Sequence, residues 1–308
     1  QAEAAAPASP PAEVDRTFAS SNFKREYDQA GIVPITQAAQ IIGEIQKFVF
    51  TYCSVYGLDS DLHRVAAQHF SERLQQEAGA HADGGGGDLM APVRATAELL
   101  WTSASRFNGM GEHEKEFCSL LNAAIRDDHA TLAPSAATLT RGINAMCVEG
   151  RGGAVLPFPP SGTTLRGGGF NNDFMDFFTE GKVFRQPCFL ATSFAAHKAE
   201  EFRSMAQANG FPSVLWVIRV DPAGEHDLSK RCKHVNFVEH SLVPGEQEYL
   251  FTAYSIFTVR SVTWGAGGAP HRIELDAASD NRVEAEGAGG GRWATPVGSL
   301  ELPLAPWS

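Results

Sequence analysis

The sequence predicts an α+β protein in which helices come first along the chain and strands follow. From about residue 34 to 130, apolar side chains recur at three- and four-residue steps, as Ile41, Ile45 and Phe48 do. Such spacing gives each helix one apolar stripe. Beyond residue 160 the apolar residues form short runs rich in β-branched and aromatic side chains, which is typical of strands. This order predicts a helical lobe packed on a strand-rich core.

Individual elements follow from the same patterns. Phe117, Leu120 and Ile125 belong to a second helical stripe. A further helix is predicted over 135–148, with Ser135 as its cap. Two more helices, at 170–178 and 195–208, and six strands, at 163–166, 188–194, 213–220, 248–253, 257–264 and 271–277, complete the prediction.

Three segments are predicted along the chain. Residues 1–16 are rich in Ala and Pro and read as a disordered tail. Residues 17–134 form the helical lobe, interrupted by a flexible glycine loop at 81–88, and residues 135–308 form the core.

Charge and composition narrow the function classes. The 308 residues carry a formal net charge of −11, with an isoelectric point of about 5.4. Such a balance does not attract phosphate backbones or anionic lipid, so nucleic acid and membrane are not expected partners. No window approaches 18 consecutive apolar residues, and the amino end lacks the residue order of a signal peptide. We expect a soluble protein, either cytoplasmic or secreted after removal of a signal; the oligomeric state stays open.

Cysteine, histidine and glycine patterns exclude several kinds of site. Five scattered cysteines without a CxxC pair favour reduced interior thiols, although one or two disulfides stay open. Cys232, His234 and His240 lack a second ligand pair and there is no HExxH, so no metal is expected. The glycine runs fit neither GxGxxG after a strand nor GxxxxGK[ST], which excludes Rossmann and P-loop sites.

The run PGEQEYLF, residues 244–251, carries a pair of carboxylates at the start of a predicted strand. Side chains two residues apart on a strand leave by the same face, so Glu246 and Glu248 can reach one pocket. Two carboxylates beside a sugar carbon can stabilise an oxocarbenium-like centre and take a proton, as glycosyl transfer requires. The alternative is a solvated strand start with an incidental pair.

Two further features precede this pair. TTLRGGGF places Arg166 before a glycine run, and CFLATSF places Thr192 and Ser193 on a predicted strand. Together with Phe202, nine residues after Ser193, this order resembles the arginine-specific mono-ADP-ribosyltransferases, whose signature is Arg, Ser-Thr-Ser and Glu-x-Glu. The resemblance covers roughly residues 115 to 280.

The resemblance implies a fold and an activity. The fold is an amino-terminal helical lobe packed on a two-sheet ADP-ribosyltransferase-like β core, with residues 135–308 as the NAD-binding catalytic core. NAD is the implied co-substrate, and the implied partner is a protein with an acceptor arginine. The implied reaction moves ADP-ribose from NAD to that arginine and releases nicotinamide.

The resemblance assigns roles first to an arginine and to the glycine that follows it. Arg166 matches the arginine on the first core strand, which steadies the NAD phosphate and ribose; its planar fork meets two anionic oxygens at once. Gly167 suits close backbone approach to the dinucleotide, with an ordinary flexible bend as the alternative. Arg141, also followed by glycine, is the competing arginine, ranked second because its neighbours predict a helix.

The resemblance also assigns roles to two hydroxyl residues and to one aromatic residue. Thr192 and Ser193 match the second and third residues of Ser-Thr-Ser, whose hydroxyls brace the pocket and the catalytic glutamate. The first position is Ala191, which cannot supply the hydroxyl that contacts the glutamate in the family. Phe202 matches the aromatic that stacks on nicotinamide, with a core side chain as the alternative.

Glu248 matches the catalytic glutamate, which binds the ribose 2′-hydroxyl and stabilises positive charge as nicotinamide leaves. Glu246 matches the first glutamate, which orients the acceptor guanidinium and favours arginine over asparagine.

Other functions stay open. With water as acceptor the protein is a NAD glycohydrolase, and Ala191 argues for a catalytically degenerate module that binds NAD or a partner. The helical lobe could equally be an independent targeting module.

Overall fold

The computed structural model describes most of the helical half and most of the strand-rich half. The described residues are 17–29, 38–59, 61, 64–65, 67–68, 71–76, 91–102, 116–144, 162–220, 235–238, 241, 245, 247–278 and 301–306. The predicted tail at 1–16 and the glycine loop at 81–88 lie outside these ranges.

Helices dominate the first part of the described chain. They are α1 (Asn22–Gln29), α2 (Ala38–Val55), α3 (Ala91–Thr102), α4 (Phe117–Arg126) and α5 (Ala133–Ile143), and residues 71–76 are also helical. A sixth helix, α6 (Ala196–Ala208), lies between strands as predicted. None of the described helices has the length and hydropathy that crossing a bilayer requires.

Helix α5 begins earlier than the sequence predicted. It starts at Ala133 with Pro134 in its first turn, and Ser135 is buried inside the helix instead of capping it. Proline suits the first turn because its missing N–H has no intrahelical partner there. The helix ends at Ile143, with Asn144 as its C-cap; residues 145–148 of the predicted helix lie outside the described residues.

The turn between α4 and α5 holds the start of α1. Asp128 adopts a positive φ of 52°, and its carboxylate accepts hydrogen bonds from the backbone N–H groups of Asn22 at 2.9 Å and Phe23 at 2.8 Å. These N–H groups belong to the first turn of α1 and have no intrahelical partner. A carboxylate from another part of the chain therefore caps α1.

Eight strands form the second part. They are β1 (Thr163–Gly169), β2 (Val183–Arg185), β3 (Leu190–Ser193), β4 (Ser213–Arg219), β5 (Val235–Phe237), β6 (Glu248–Phe251), β7 (Ile256–Thr263) and β8 (His271–Ala277). All six predicted strands are present within a few residues of their predicted bounds. The segment predicted as a helix at 170–178 is a 3₁₀ helix over Asn172–Phe177.

The described strands are hydrogen-bonded in the order β2-β7-β8-β4-β1-β3-β6-β5, and the division of the core into two sheets stays a prediction. The junction between β1 and β3 is narrow, because few of their residues pair. Strand β1 pairs with β4 along its whole length, but it pairs with β3 only at Leu165 and Ser193. The strands on either side of this junction therefore form two groups joined by a single register pair.

The helices and the sheet share one hydrophobic core. Buried side chains from α2, α3, α4 and α5 pack in one cluster with Phe189, Leu250 and Tyr254 of the strand-rich half. A second cluster, which includes Trp216 and Phe257, lies within the strand-rich half. The predicted boundary at residue 135 falls inside α5, which packs against α1, α2 and α3; the division into two domains stays a prediction.

Helix α6 packs closely on β1 at a glycine. A Cβ added to Gly167 would lie 1.7 Å from the backbone oxygen of Ala199, far inside van der Waals contact. The next residue, Gly168, has open space where its Cβ would be. Only the first of these two glycines is therefore required for the helix to approach the strand.

We expect Gly167→Ala to lower the free energy of unfolding by about 1–3 kcal/mol, because α6 must move away from β1. Gly168→Ala is the matched control, with an expected change within about 0.5 kcal/mol. Urea unfolding of both variants measures the difference. Equal midpoints for the two variants would show that the contact between α6 and β1 does not depend on Gly167.

Candidate functional site

A cavity of about 130 Å³ opens where β1 and β3 separate. Three strands and helix α6 contribute to its wall. Its lining residues are 165–167 of β1, 191–193 of β3, Lys198, Ala199 and Phe202 of α6, and Glu248 of β6. Every predicted site residue that the structure describes is among them.

Glu248 is the carboxylate of this cavity. It begins β6, lies directly opposite Ser193 on β3, and is only 6% exposed. Its Oε1 accepts a hydrogen bond from the indole Nε1–H of Trp101 at 2.7 Å. The donor lies on α3, so the helical half supplies a direct partner of the cavity carboxylate.

The chain reaches Glu248 through an unusual backbone turn. Gly245 has a φ of 78° and Gln247 has a φ of 45°. Residues other than glycine rarely adopt this region of backbone conformation. The carbonyl oxygen of Gln247 accepts a hydrogen bond from the N–H of Phe194 at 3.3 Å. A residue held in this conformation by its neighbours is common at functional sites.

Glu246 lies outside the described residues. Its position beside Glu248 and its role toward an acceptor both stay predictions from the sequence.

Arg166 spans the narrow junction of the sheet. Its Nη1 donates to the carbonyl oxygen of Ala191 at 2.8 Å, which ties β1 to β3 beside the cavity. Burial lowers the pKa of Arg166, while the negative charge of Glu248 is among the influences that raise it. An arginine stays protonated at neutral pH even when its pKa is lowered, so this cavity wall carries a cation near a carboxylate.

The competing arginine has a different position. Arg141 lies on α5, where its guanidinium stacks 3.9 Å from the ring centroid of Tyr27. Its Nε also donates to the Tyr27 carbonyl oxygen at 3.2 Å. Arg141 thus joins α5 to α1 and does not line the cavity.

The two hydroxyl residues of β3 have separate partners. Thr192 is buried, and its Oγ1 donates to the carbonyl oxygen of Tyr249 at 2.6 Å, which links β3 to β6. Ser193 Oγ accepts from the N–H of Ala195 at 2.9 Å, just before α6 begins. Ala191 shares a strand face with Ser193, since side chains alternate along a strand.

Phe202 presents an aromatic ring at the cavity mouth. It lies on α6 and is 47% exposed, which is unusual for an aromatic side chain of its size. The core alternative for this residue is therefore wrong. Gly167 also lines the cavity, although the backbone that approaches it closely in the structure is that of α6.

Three residues near the site were not anticipated from the sequence. Trp101 and Phe189 have ring centroids 5.0 Å apart. The Asn122 side chain bonds the Phe189 backbone twice, accepting from its N–H at 3.1 Å and donating to its carbonyl at 3.4 Å. No motif marks these residues, and the helical stripe pattern predicts only that such side chains are buried.

Three of the five cysteines lie in the described residues. Cys53, Cys118 and Cys188 are free thiols; Cys147 and Cys232 lie outside the described residues. Burial, with the nearby carboxylates of Glu116 and Glu248, raises the pKa of Cys118 to about 12. Within the part of the chain that the structure describes, no group of three or more His, Cys, Asp and Glu side chains is arranged to hold a metal ion.

Comparisons with known proteins reveal similar solved structures. The sequence matches no protein-family description and no curated protein. Vis toxin, an ADP-ribosyltransferase from Vibrio splendidus, has 14% identity and a TM-score of 0.44, with 72% of this chain and 88% of that chain covered. HopU1, an ADP-ribosyltransferase of Pseudomonas syringae pv. tomato, has 16% identity and a TM-score of 0.45, covering 77% and 97%.

A third similar structure is exoenzyme S from Pseudomonas aeruginosa, in complex with human 14-3-3 protein beta and bound to Carba-NAD. It has 17% identity and a TM-score of 0.43, with 74% of this chain and 93% of that chain covered. Similarity at these values does not determine the chemistry of this chain, because one fold can carry unrelated sites.

We expect the Cys118 thiol to resist alkylation in the folded protein, because a pKa of about 12 leaves almost no thiolate at pH 8. Its rate with iodoacetamide at pH 8, followed by peptide mass spectrometry, should be more than about tenfold lower in the native protein than in urea. Similar rates in the two states would mean that the thiol is accessible and its pKa ordinary.

Proposed function

We propose that this protein is a NAD-dependent mono-ADP-ribosyltransferase that modifies a protein arginine. The observation that carries the proposal is the buried carboxylate of Glu248 in a cavity that it shares with Arg166 and Ser193. Transfer to arginine in particular is proposed because the order of Arg166, Thr192, Ser193, Glu246 and Glu248 resembles the signature of the arginine-specific family.

The cavity residues suit one end of the dinucleotide. The cavity has a volume of about 130 Å³, which is below the range of about 300–1,000 Å³ that holds a whole drug-sized ligand. Nicotinamide and its ribose would therefore enter, while the rest of NAD follows the open side. Arg166 provides the cation for a phosphate or ribose oxygen, and the half-exposed ring of Phe202 provides a face for the nicotinamide ring.

Glu248 performs the main electrostatic role. The bond that breaks joins the nicotinamide nitrogen to the ribose C1′, and nicotinamide leaves as a neutral molecule with the bonding electron pair. Positive charge develops on C1′ and the ring oxygen, so a carboxylate beside them stabilises the transition state more than the ground state. Its low exposure strengthens this effect, because little water screens the charge.

The acceptor completes the reaction. A guanidine nitrogen of the target arginine forms a new bond to C1′ and loses a proton as that bond forms. The pKa of the arginine guanidinium lies far above neutral pH, so a positioned carboxylate helps to remove the proton. This is the role proposed for Glu246, and it makes arginine the preferred acceptor.

A NAD glycohydrolase is the second candidate. Glu248, Ser193 and Arg166 all line the cavity, and bond cleavage with water as acceptor does not require the acceptor role proposed for Glu246. Agmatine distinguishes the two enzymes, since a transferase converts it into an ADP-ribosyl adduct and a hydrolase releases free ADP-ribose.

A degenerate binding module is the third candidate, and Ala191 favours it. Such a module binds NAD and releases no nicotinamide over hours.

We expect Glu248→Gln to retain NAD binding and to lower nicotinamide release by about 10²–10⁴-fold, because the amide keeps the shape but lacks the charge. The matched variant Glu246→Gln should retain hydrolysis and lose transfer to arginine or agmatine. Nicotinamide release and adduct formation are both followed by liquid chromatography.

Full turnover by Glu248→Gln would contradict the site. Loss of both activities in Glu246→Gln would contradict the separate acceptor role of that residue.

We expect Phe202→Ala to raise the KM for NAD by about tenfold, on the basis of the stacking energy of aromatic pairs. Met205→Ala is the control, since Met205 is 52% exposed on the same helix but does not line the cavity. Steady-state kinetics with NAD as the varied substrate make the comparison. A KM that is the same in both variants would remove Phe202 from the binding site.

A further inference from the structure

We propose that Trp101 is the residue that positions the catalytic carboxylate, through a hydrogen bond from its indole N–H to Glu248. This inference rests on the proposed function and adds to it a positioning residue from the helical half. It also assigns a role to a side chain 147 residues before the glutamate.

The contact has the geometry of a strong hydrogen bond. The distance of 2.7 Å between Nε1 and Oε1 falls at the short end of the range for bonds to an ionised acceptor. Trp101 is 5% exposed and Glu248 is 6% exposed. An indole N–H only donates, so the contact favours the ionised carboxylate, which is the form that the reaction needs.

The donor itself is held in place from two sides. Trp101 lies in the last turn of α3, and its ring packs on Phe189, which immediately precedes β3. Asn122 of α4 fixes the Phe189 backbone through two hydrogen bonds. The indole is therefore fixed relative to β3, the strand that pairs with the start of β6.

Position 191 explains why a donor from another element is needed. On β3, Ala191 lies opposite Leu250, and Ser193 lies opposite Glu248. Ala191 is thus the diagonal neighbour of Glu248 on the same face, within reach of a side-chain contact. A methyl group cannot donate a hydrogen bond, so Trp101 supplies from the helical half what a hydroxyl at 191 would supply from the sheet.

The expected effect is on turnover and not on NAD binding. Trp101 does not line the cavity, so its loss leaves the binding surface intact. Without the indole donor the carboxylate loses one of the contacts that hold its orientation, and misplacement of this kind lowers kcat.

The test compares Trp101→Phe with two companion variants. Trp101→Phe keeps an aromatic ring against Phe189 and removes the N–H; we expect kcat to fall by about 10–100-fold with KM within about twofold. Leu100→Ala, on the same helix and fully buried, lowers stability without touching Glu248 and should retain kcat. Ala191→Ser added to Trp101→Phe should restore kcat by about tenfold, because the new hydroxyl can reach Glu248.

A second measurement needs no turnover. The five tryptophans give indole N–H resonances in a ¹⁵N correlation spectrum, and Trp101→Phe identifies the resonance of Trp101. We expect this resonance to shift in Glu248→Gln, because a neutral amide oxygen replaces the charged acceptor of the indole N–H. The spectrum reports on the contact even if Trp101→Phe folds poorly, because a second tryptophan variant or selective labelling can assign the peak.

The outcomes separate the two proposals. Wild-type protein that releases no nicotinamide overturns the proposed enzyme, whatever the spectrum shows. Active wild type with an unchanged kcat in Trp101→Phe overturns the positioning role. A loss of kcat that Leu100→Ala reproduces and Ala191→Ser does not reverse also overturns the positioning role. An indole resonance that is unaffected by Glu248→Gln overturns it as well.

Discussion

The burial of one carboxylate constrains the whole candidate site. Removing an ionised carboxylate from water costs several kcal/mol unless donors and opposite charges replace the lost hydration. Glu248 is 6% exposed and accepts from Trp101, and its charge partly offsets the burial that lowers the pKa of nearby Arg166. Trp101 of α3 and Arg166 of β1 therefore have to lie together at the start of β6. No single helix or strand can bring these residues together.

This requirement links the two halves of the chain. The narrow junction between β1 and β3 opens the cavity, Arg166 bridges it, and the close approach of α6 at Gly167 forms another wall. The helices meet the same strands through a shared hydrophobic cluster and through Asn122. A helical half that donates to the cavity carboxylate is a part of the site, which argues against an independent targeting module.

Local patterns predicted the parts of this structure that depend on local physics. All six strands with long β-branched and aromatic runs were found, whereas β2 and β5 were missed because three residues are too few to show alternation. Ser135 has the chemistry of a cap, but Pro134 fixed the helix start earlier. The order of the strands and the hydrogen bond from Trp101 to Glu248 depend on contacts between distant residues, and no local pattern encodes them.

Transfer of ADP-ribose to arginine is tested most directly by mass spectrometry of a cell lysate incubated with the wild-type protein and isotopically labelled NAD. We expect release of nicotinamide together with labelled ADP-ribose on arginine side chains of a small set of proteins. Complete retention of labelled NAD, or label found only as free ADP-ribose when arginine acceptors are abundant, would contradict it.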